Sequence, residues 1–158
     1  MTKKLLWLVV VVTAVALILP GTAPAKKLKI GVTQIVSHPA LDADQKGFEK
    51  ALQDAGLDVE YDYQNAQGDM SNAQAIARKF KGDDLDLVHS IATPTSQAIV
   101  KVITKTPVVY SSVTDPVDAG LVKTMDAAGG NVTGVSDAWP YDRQVQLHHE
   151  MVPSAKKW

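Results

Sequence analysis

Polar side chains follow three apolar runs of this sequence, each at the point where the run ends. The polar segments are residues 33–39 (Thr-Gln-Ile-Val-Ser-His-Pro), 92–97 (Ala-Thr-Pro-Thr-Ser-Gln) and 111–116 (Ser-Ser-Val-Thr-Asp-Pro). Hydroxyl, amide and carboxylate groups bind small polar molecules, and a proline preceded by Ser, Thr or Asp is typical of a helix start. The pattern therefore predicts three strand, loop and helix units whose loops bind a ligand.

The second of these loops has the residues of an anion site. We expect Thr93 to cap a helix whose first turn holds Pro94. The backbone N–H groups of the next three residues, Thr95, Ser96 and Gln97, would then point out of the helix start, with the hydroxyls beside them. Such a cradle suits a carboxylate or a phosphate. The alternative is a plain N-cap that serves only its own helix.

Two carboxylates are candidates for neutralising an ammonium group on the same ligand. Asp115 follows Thr114 in the third loop, and Asp137 follows a predicted strand. A zwitterion such as an amino acid needs both an anion cradle and an acidic side chain. The alternatives are an N-cap for Asp115 and a turn for Asp137.

The first loop is expected to face the same crevice. Gln34 and Ser37 can form hydrogen bonds, and Ile35 and Val36 offer an apolar wall. His38 is of a type suited to acid–base chemistry, but no partner is placed beside it, so a surface histidine is the favoured interpretation. The predicted ligand-binding residues are Thr33, Gln34, Ser37, Thr93, Thr95, Ser96, Thr114, Asp115 and Asp137.

Other chemistry has little support in the sequence. His148 and His149 are adjacent, so on a helix they point about 100° apart and cannot share a metal ion as an i, i+4 pair does. His89 falls inside a predicted strand and is expected to be a packed or an edge histidine. No phosphate-binding loop, dinucleotide fingerprint or nucleophile elbow occurs. We therefore predict no cofactor, no metal ion and no catalytic residue.

The elements that must position these loops alternate between strand and helix. Four strands alternating with helices over so few residues predict a parallel, doubly wound α/β sheet with right-handed crossovers and a flavodoxin-like strand order. The predicted strands are 28–32, 59–63, 85–91, 108–112 and, at the end, 131–136. The predicted helices begin near Ala40, at Asp69 or Ser71, at Pro94 and near Pro140.

The first 25 residues are predicted to be a secretory signal peptide. Lys3 and Lys4 precede an apolar stretch at 5–19, and the small residues at 23–25 fit a cleavage site. The alternative, a membrane anchor, normally needs a longer run of roughly 20 residues. Removal of the two lysines leaves 14 basic and 17 acidic residues, a charge of −3, with no basic stripe for nucleic acid. Because there is no cysteine for a disulfide or a lipid anchor, we expect a soluble periplasmic protein.

Five segments carry a resemblance to a known family. They are residues 34–42 (QIVSHPALD), 62–69 (DYQNAQGD), 91–94 (IATP), 113–116 (VTDP) and 130–137 (GNVTGVSD). In this order they resemble the ABC transporter substrate-binding proteins of the tryptophan/tyrosine-binding type. The resemblance runs from about Lys27 to Lys157.

The resemblance implies a type I periplasmic binding protein, in which two α/β lobes close on a ligand and then dock on a membrane permease. It implies an N-terminal lobe at 26–138, and a crossover helix and the start of a second lobe at 139–158. That second lobe would be essentially absent, so we expect a truncated chain. The implied ligand is a small amino-acid-like solute, with an aromatic one as the expectation, and one lobe alone is expected to bind it weakly or not at all.

Two other functions remain open. A ligand-sensing module that signals to a membrane receptor would use the same fold. A small periplasmic hydrolase would use His38 with Asp115 or Asp137, and it would also need a nucleophile and a fixed base.

Overall fold

Strands and helices alternate as far as the fourth strand, as the sequence predicts, but the expectation of a helix after the third polar loop is wrong: turns at 114–131 lead directly to the fifth strand. The computed structural model describes residues 26–154 and 156–157, and the predicted signal peptide lies outside them. The strands are β1 (Leu28–Gln34), β2 (Val59–Asn65), β3 (Leu87–Ile91), β4 (Val108–Val113) and β5 (Val132–Ser136). The helices are α1 (Pro39–Asp54), α2 (Met70–Gly82), α3 (Thr93–Val100) and α4 (Tyr141–Met151).

The five strands form one parallel sheet in the order β2-β1-β3-β4-β5. This is the flavodoxin-like order predicted from the sequence, and the prediction is confirmed. The chain first steps outward from β1 to β2 and then returns to the other side of β1. The strand order therefore reverses between β1 and β3, and in such sheets ligands bind at the carboxyl ends of the strands at that point.

Helix α2 covers one face of the sheet. Its N-cap is Asp69, whose Oδ1 accepts hydrogen bonds from the backbone N–H groups of Ser71 at 2.6 Å and Asn72 at 3.1 Å. One apolar stripe, made of Ala73, Ile76, Ala77 and Phe80, is buried as the helical spacing predicts. Phe80 lies directly over Gly31 of β1, where a Cβ atom would come within 2.9 Å of the ring.

Helix α1 covers part of the opposite face. His38 is its N-cap, because its Nδ1 accepts a hydrogen bond from the backbone N–H of Ala40 at 3.2 Å. Leu41, Phe48 and Leu52 pack against a small cluster formed by Ile30, Val32 and Ile91. The two helices thus bury β1 and β3 from both sides, which fixes the strand ends where the predicted ligand loops begin.

Tyr110 of β4 packs directly against Gly134 of β5. A Cβ atom on Gly134 would lie 2.1 Å from the Tyr110 carbonyl oxygen, a clash that the backbone must relieve. We expect Gly134→Ala to lower the free energy of unfolding by about 1–3 kcal/mol, as overpacking does. Urea unfolding followed by circular dichroism measures the loss. Gly130→Ala is the matched control because no atom lies within 4 Å of its Cβ position, and equal stability of both variants would contradict the prediction.

Helix α4 follows β5 and lies apart from the core, since none of its residues is buried. Large apolar side chains remain exposed along it, among them Val145, Leu147 and Met151. The predicted domain boundary at residue 138 precedes this helix and stays a prediction. Among the residues that the structure describes, no helix combines the length and the apolar character needed to cross a membrane.

Candidate functional site

Four of the five strands end side by side at the loops that the sequence singled out. Gln34 at the end of β1 pairs with Ile91 of β3, and Ile91 pairs with Ser111 of β4. Val113 of β4 pairs with Ser136 at the end of β5. Because adjacent strands lie about 4.8 Å apart, the loops after β1, β3, β4 and β5 form one edge, which we call the carboxyl edge.

The start of α3 differs from the prediction at its cap. Ala92, and not Thr93, is the N-cap, and its side chain supplies no capping hydrogen bond. Ala92 has φ 77° and ψ 154°, a conformation that costs a non-glycine residue about 1–3 kcal/mol. Its carbonyl accepts hydrogen bonds from the N–H of Ser96 at 3.1 Å and the Ser96 hydroxyl at 2.9 Å, and it lies 3.1 Å from the Thr95 hydroxyl. The two bonds from Ser96 help to hold the strained residue in place.

The hydroxyls of Thr95 and Ser96 point into the protein, so the expectation that they lie beside the outward N–H groups is wrong. Thr95 is 1% exposed and Ser96 is 0% exposed. The Thr95 hydroxyl donates to the Ile91 carbonyl at 2.5 Å, and Ser96 Oγ hydrogen-bonds with Ser90 Oγ at 2.9 Å. These hydroxyls fasten α3 to β3, and a ligand-binding role for Thr95 and Ser96 stays a prediction.

Backbone N–H groups are what the start of α3 can still offer to a ligand. The first turn of a helix leaves its N–H groups without partners inside the helix. Pro94 has no N–H and that of Ser96 donates to Ala92, so the N–H groups of Thr93 and of the buried Thr95 remain. Thr93 is half-buried at the carboxyl edge. Anion binding at this helix start stays a prediction, and the groups that would bind the anion are its backbone N–H groups.

The residues of the first loop divide between the interior and the surface. Thr33 is fully buried, whereas Ser37 is exposed and its hydroxyl accepts a hydrogen bond from the Asn65 side chain at 3.0 Å. Gln34 is buried and its Nε2 donates to Asp42 Oδ1 at 3.1 Å. His38 caps α1, as described above, which gives it a structural role.

The acidic candidates lie at the ends of β4 and β5. Asp115 Oδ1 accepts hydrogen bonds from the N–H groups of Val117 at 3.0 Å and Asp118 at 2.9 Å, which is the capping arrangement considered as the alternative. Asp137 is exposed, and its N–H donates to the Val113 carbonyl at 3.1 Å. Thr114 is also exposed and its carbonyl accepts from the Ser136 hydroxyl. Asp137 and the second oxygen of Asp115 therefore face away from the core.

A second cluster of polar side chains lies on the α1 face of the sheet, and it was not predicted from the sequence. His89, 1% exposed, has its Nε2 2.8 Å from Ser111 Oγ and its ring stacked on Phe48 at a centroid distance of 4.1 Å. Burial lowers the pKa of His89 to about 4. Next to it, the Ser112 hydroxyl donates to Asp44 Oδ2 at 2.7 Å.

These five side chains line an open cleft of about 420 Å³ between α1 and strands β4 and β5. Of the two predicted positions for His89, packed or at an edge, the structure shows the packed one, because β3 lies between β1 and β4. The signal that could have indicated a polar group is the sequence Val-His-Ser at residues 88–90 in the middle of a buried strand. In the part of the chain that the structure describes, no group of three or more His, Cys, Asp or Glu side chains could hold a metal ion.

Comparisons with known proteins agree with a ligand-binding fold. A family model described as ABC transporter substrate binding protein matches residues 29–158. The chain is 44% identical over 140 residues to a tyrosine-binding protein of Clostridioides difficile, and this alignment covers 86% of the chain and 41% of that protein.

Two solved structures are similar over most of the chain. A conserved domain protein of Vibrio cholerae superposes with a TM-score of 0.79 at 44% identity, covering 83% of this chain and 46% of that one. An ABC domain of Streptococcus pneumoniae in complex with L-Trp superposes with a TM-score of 0.76 at 40% identity, covering 81% and 44%. This chain thus spans less than half the length of the relatives it matches.

Proposed function

Because this chain belongs to the ABC transporter substrate-binding protein family, we propose that it captures a small amino-acid-like solute for an ABC importer and is not an enzyme. The observation that carries this proposal is the carboxyl edge, where four loops with polar groups meet at the point of strand-order reversal. The relatives named for tyrosine binding or solved with L-Trp make an aromatic amino acid the first ligand to test.

Both charges of an amino acid have candidate partners at this edge. The N–H groups of Thr93 and Thr95 at the start of α3 favour the carboxylate, because they carry the positive end of the helix dipole. The exposed side chain of Asp137 and the free oxygen of Asp115 favour the ammonium group. Ser37 and Thr114 are exposed beside them and can add hydrogen bonds.

The carboxyl edge forms one side of the proposed binding crevice. More than half of each relative lies outside the matched region, which supports a two-lobed arrangement with residues 26–138 as one lobe and residues 139–158 as the connection to the other. An isolated lobe leaves one side of the ligand in water, so its affinity is low. Closure of two lobes would present the loaded form to permease subunits in the membrane.

Export to the periplasm is part of the same proposal. The sequence features of residues 1–25 support a cleaved signal peptide. The processed chain would then begin at Lys26 and meet solutes outside the cytoplasm, where a substrate-binding component acts.

Titration of the processed chain from Lys26 with L-Trp, followed by NMR of its backbone amides, tests this proposal. We expect binding weaker than micromolar, with the largest shifts at Thr93, Thr95 and Asp137. Glucose is the negative control. Micromolar affinity would overturn the half-site argument, and shifts confined to other surfaces would overturn the proposed site.

Asp137→Asn is the variant that tests the ammonium partner. Loss of an exposed charge-assisted hydrogen bond is expected to weaken L-Trp binding by about threefold to tenfold. Asp126→Asn, also at an exposed position, is the matched control and should leave affinity unchanged. Equal affinities of the two variants would remove Asp137 from the site.

A further inference from the structure

Gln34 presents a hydrogen-bond acceptor that nothing in the described part of the chain uses. The residue ends β1 and is 7% exposed. Its Nε2 donates to Asp42 Oδ1 at 3.1 Å, while its Oε1 is buried and has no hydrogen-bond partner among the described residues. A buried carbonyl oxygen without a donor is destabilising, and the few that occur in folded proteins need an explanation.

Asp42 decides which end of the Gln34 amide faces which way. A carboxylate only accepts hydrogen bonds, so the amide must turn its NH2 group toward Asp42. The opposite orientation would place two oxygens against each other. The Oε1 atom is therefore a hydrogen-bond acceptor on the side of the amide that faces away from Asp42. Its orientation is set before any ligand binds.

The backbone of Gln34 lies next to the strand that leads into the proposed carboxylate cradle, while its side chain is directed toward Asp42 of α1. Gln34 pairs in register with Ile91, and Ala92 and Thr93 follow immediately at the start of α3. Strands β1 and β3 are neighbours about 4.8 Å apart. In an α-amino acid the ammonium and carboxylate groups are attached to one carbon atom, so partners on neighbouring strands suit them.

We propose that Gln34 Oε1 accepts a hydrogen bond from the α-ammonium group of the ligand and that Asp42 acts as a positioning residue for it. This inference rests on the proposed function and deepens it. An ammonium group has three N–H donors, so Gln34 complements the acidic side chains of the carboxyl edge and does not replace them. The site then selects α-amino acids over carboxylic acids that lack the amine.

Ligand access to Gln34 requires a local movement. The Oε1 atom is shielded from solvent, and the segment 36–38, which follows Gln34 closely, is exposed. A small shift of this loop is the simplest way to open the atom. Binding of an amine is therefore expected to change the NMR signals of the loop as well as that of Gln34.

The test compares L-Trp with 3-(indol-3-yl)propionate, which has the same ring and carboxylate but no amine. Both are titrated into the processed chain and into Gln34→Met, which keeps the length of the side chain and removes the amide. We expect Gln34→Met to bind L-Trp at least about tenfold more weakly and to bind the propionate within about twofold of the parent protein. Asp42→Asn should show a smaller loss confined to L-Trp, because an asparagine lets the Gln34 amide turn over.

Gln64→Met is the matched control, because Gln64 lies on β2 beside β1 and also donates its Nε2 to an aspartate, Asp62. It should change neither affinity. Equal weakening of both ligands by Gln34→Met would overturn the inference in favour of a structural or water-binding role, and so would no change for either. If the parent protein binds the two compounds equally, amine recognition fails at Gln34 and at the acidic side chains, while the carboxylate cradle at the start of α3 stands. If it binds neither, the inference fails for this lobe, whereas the proposed function, which expects one lobe to bind weakly or not at all, does not fail with it.

Discussion

Replacement of Phe80 with alanine is expected to lower the free energy of unfolding by about 3–5 kcal/mol, the range measured for large aromatic side chains in protein cores. Phe80 is 2% exposed and is the largest side chain that α2 inserts beneath itself. Gly31 has no side chain at the point where the ring lies, so the neighbouring strand cannot fill the space that the substitution leaves. A cavity that does not collapse adds to the lost burial of the ring.

This loss is a large part of the total, because the free energy of unfolding of a typical domain is only about 5–15 kcal/mol. Equilibrium urea unfolding of the processed chain, followed by circular dichroism, measures it. Met70→Ala on the same helix is the control, since Met70 is exposed and such changes usually stay within about 0.5 kcal/mol. A Phe80→Ala protein that is folded and less than about 1 kcal/mol less stable would show that α2 does not seal this face.

Local patterns were sufficient to predict the sheet. The alternation of polar and apolar residues at 59–63 indicates a strand with one polar face, and the cap at Asp69 followed by the stripe up to Phe80 indicates an amphipathic helix. Such signals depend only on neighbours in sequence. The parallel order then follows because short connections through helices leave few other topologies.

The helix cap of α3 could not be predicted in the same way. A Thr-Pro pair normally indicates a cap at the threonine, but the cap lies one residue earlier, at Ala92. The reason is tertiary, because the hydroxyls of Thr95 and Ser96 bond to groups at the end of β3 and draw the helix start toward the strand. A sequence shows that these residues have hydroxyls, not which way they point.

The cluster of polar side chains around His89 could not be predicted from the sequence for a related reason. His89 and Ser111 are 22 residues apart, and they meet only because β3 and β4 are neighbours with a particular register. Phe48 comes from a third element, α1. Contacts of this kind depend on how separate elements dock, which local periodicity does not encode.

The stability of the protein is expected to fall by about 3 kcal/mol between pH 7 and pH 4 because of His89. Burial lowers the pKa of His89 from an ordinary 6.5 to about 4, so the folded protein keeps this ring neutral over a range in which the unfolded chain takes up a proton. Above pH 6.5 both states are neutral and the stability is complete. As the pH falls below 6.5, protonation stabilises the unfolded state relative to the folded state by about 1.4 kcal/mol per pH unit, until the folded ring also protonates near pH 4.

Two acidic groups, Asp44 and Glu49, oppose this effect because their charges favour the protonated ring, but burial is the larger influence. The carboxyl groups of Asp62, Asp69 and Asp86 have pKa values lowered by their hydrogen bonds with Lys79, with backbone N–H groups and with Lys26, respectively, against an opposing effect of burial. They reduce stability only as the pH falls below their ordinary range near 4. Between pH 6.5 and pH 4.5 the change of stability with pH therefore comes mainly from His89.

Urea unfolding at pH 7, 6, 5 and 4.5 measures this dependence, and His89→Gln removes the titrating ring while its amide can still reach Ser111. The variant loses the contact with Phe48, so the slope of stability against pH is the informative quantity and the absolute value is not. We expect a flat profile in His89→Gln over this window. The control His149→Gln, at an exposed position on α4, should keep the full slope. Equal slopes in both variants would mean that another group carries the acid sensitivity, because His89→Gln removes the buried titrating ring and His149→Gln keeps it.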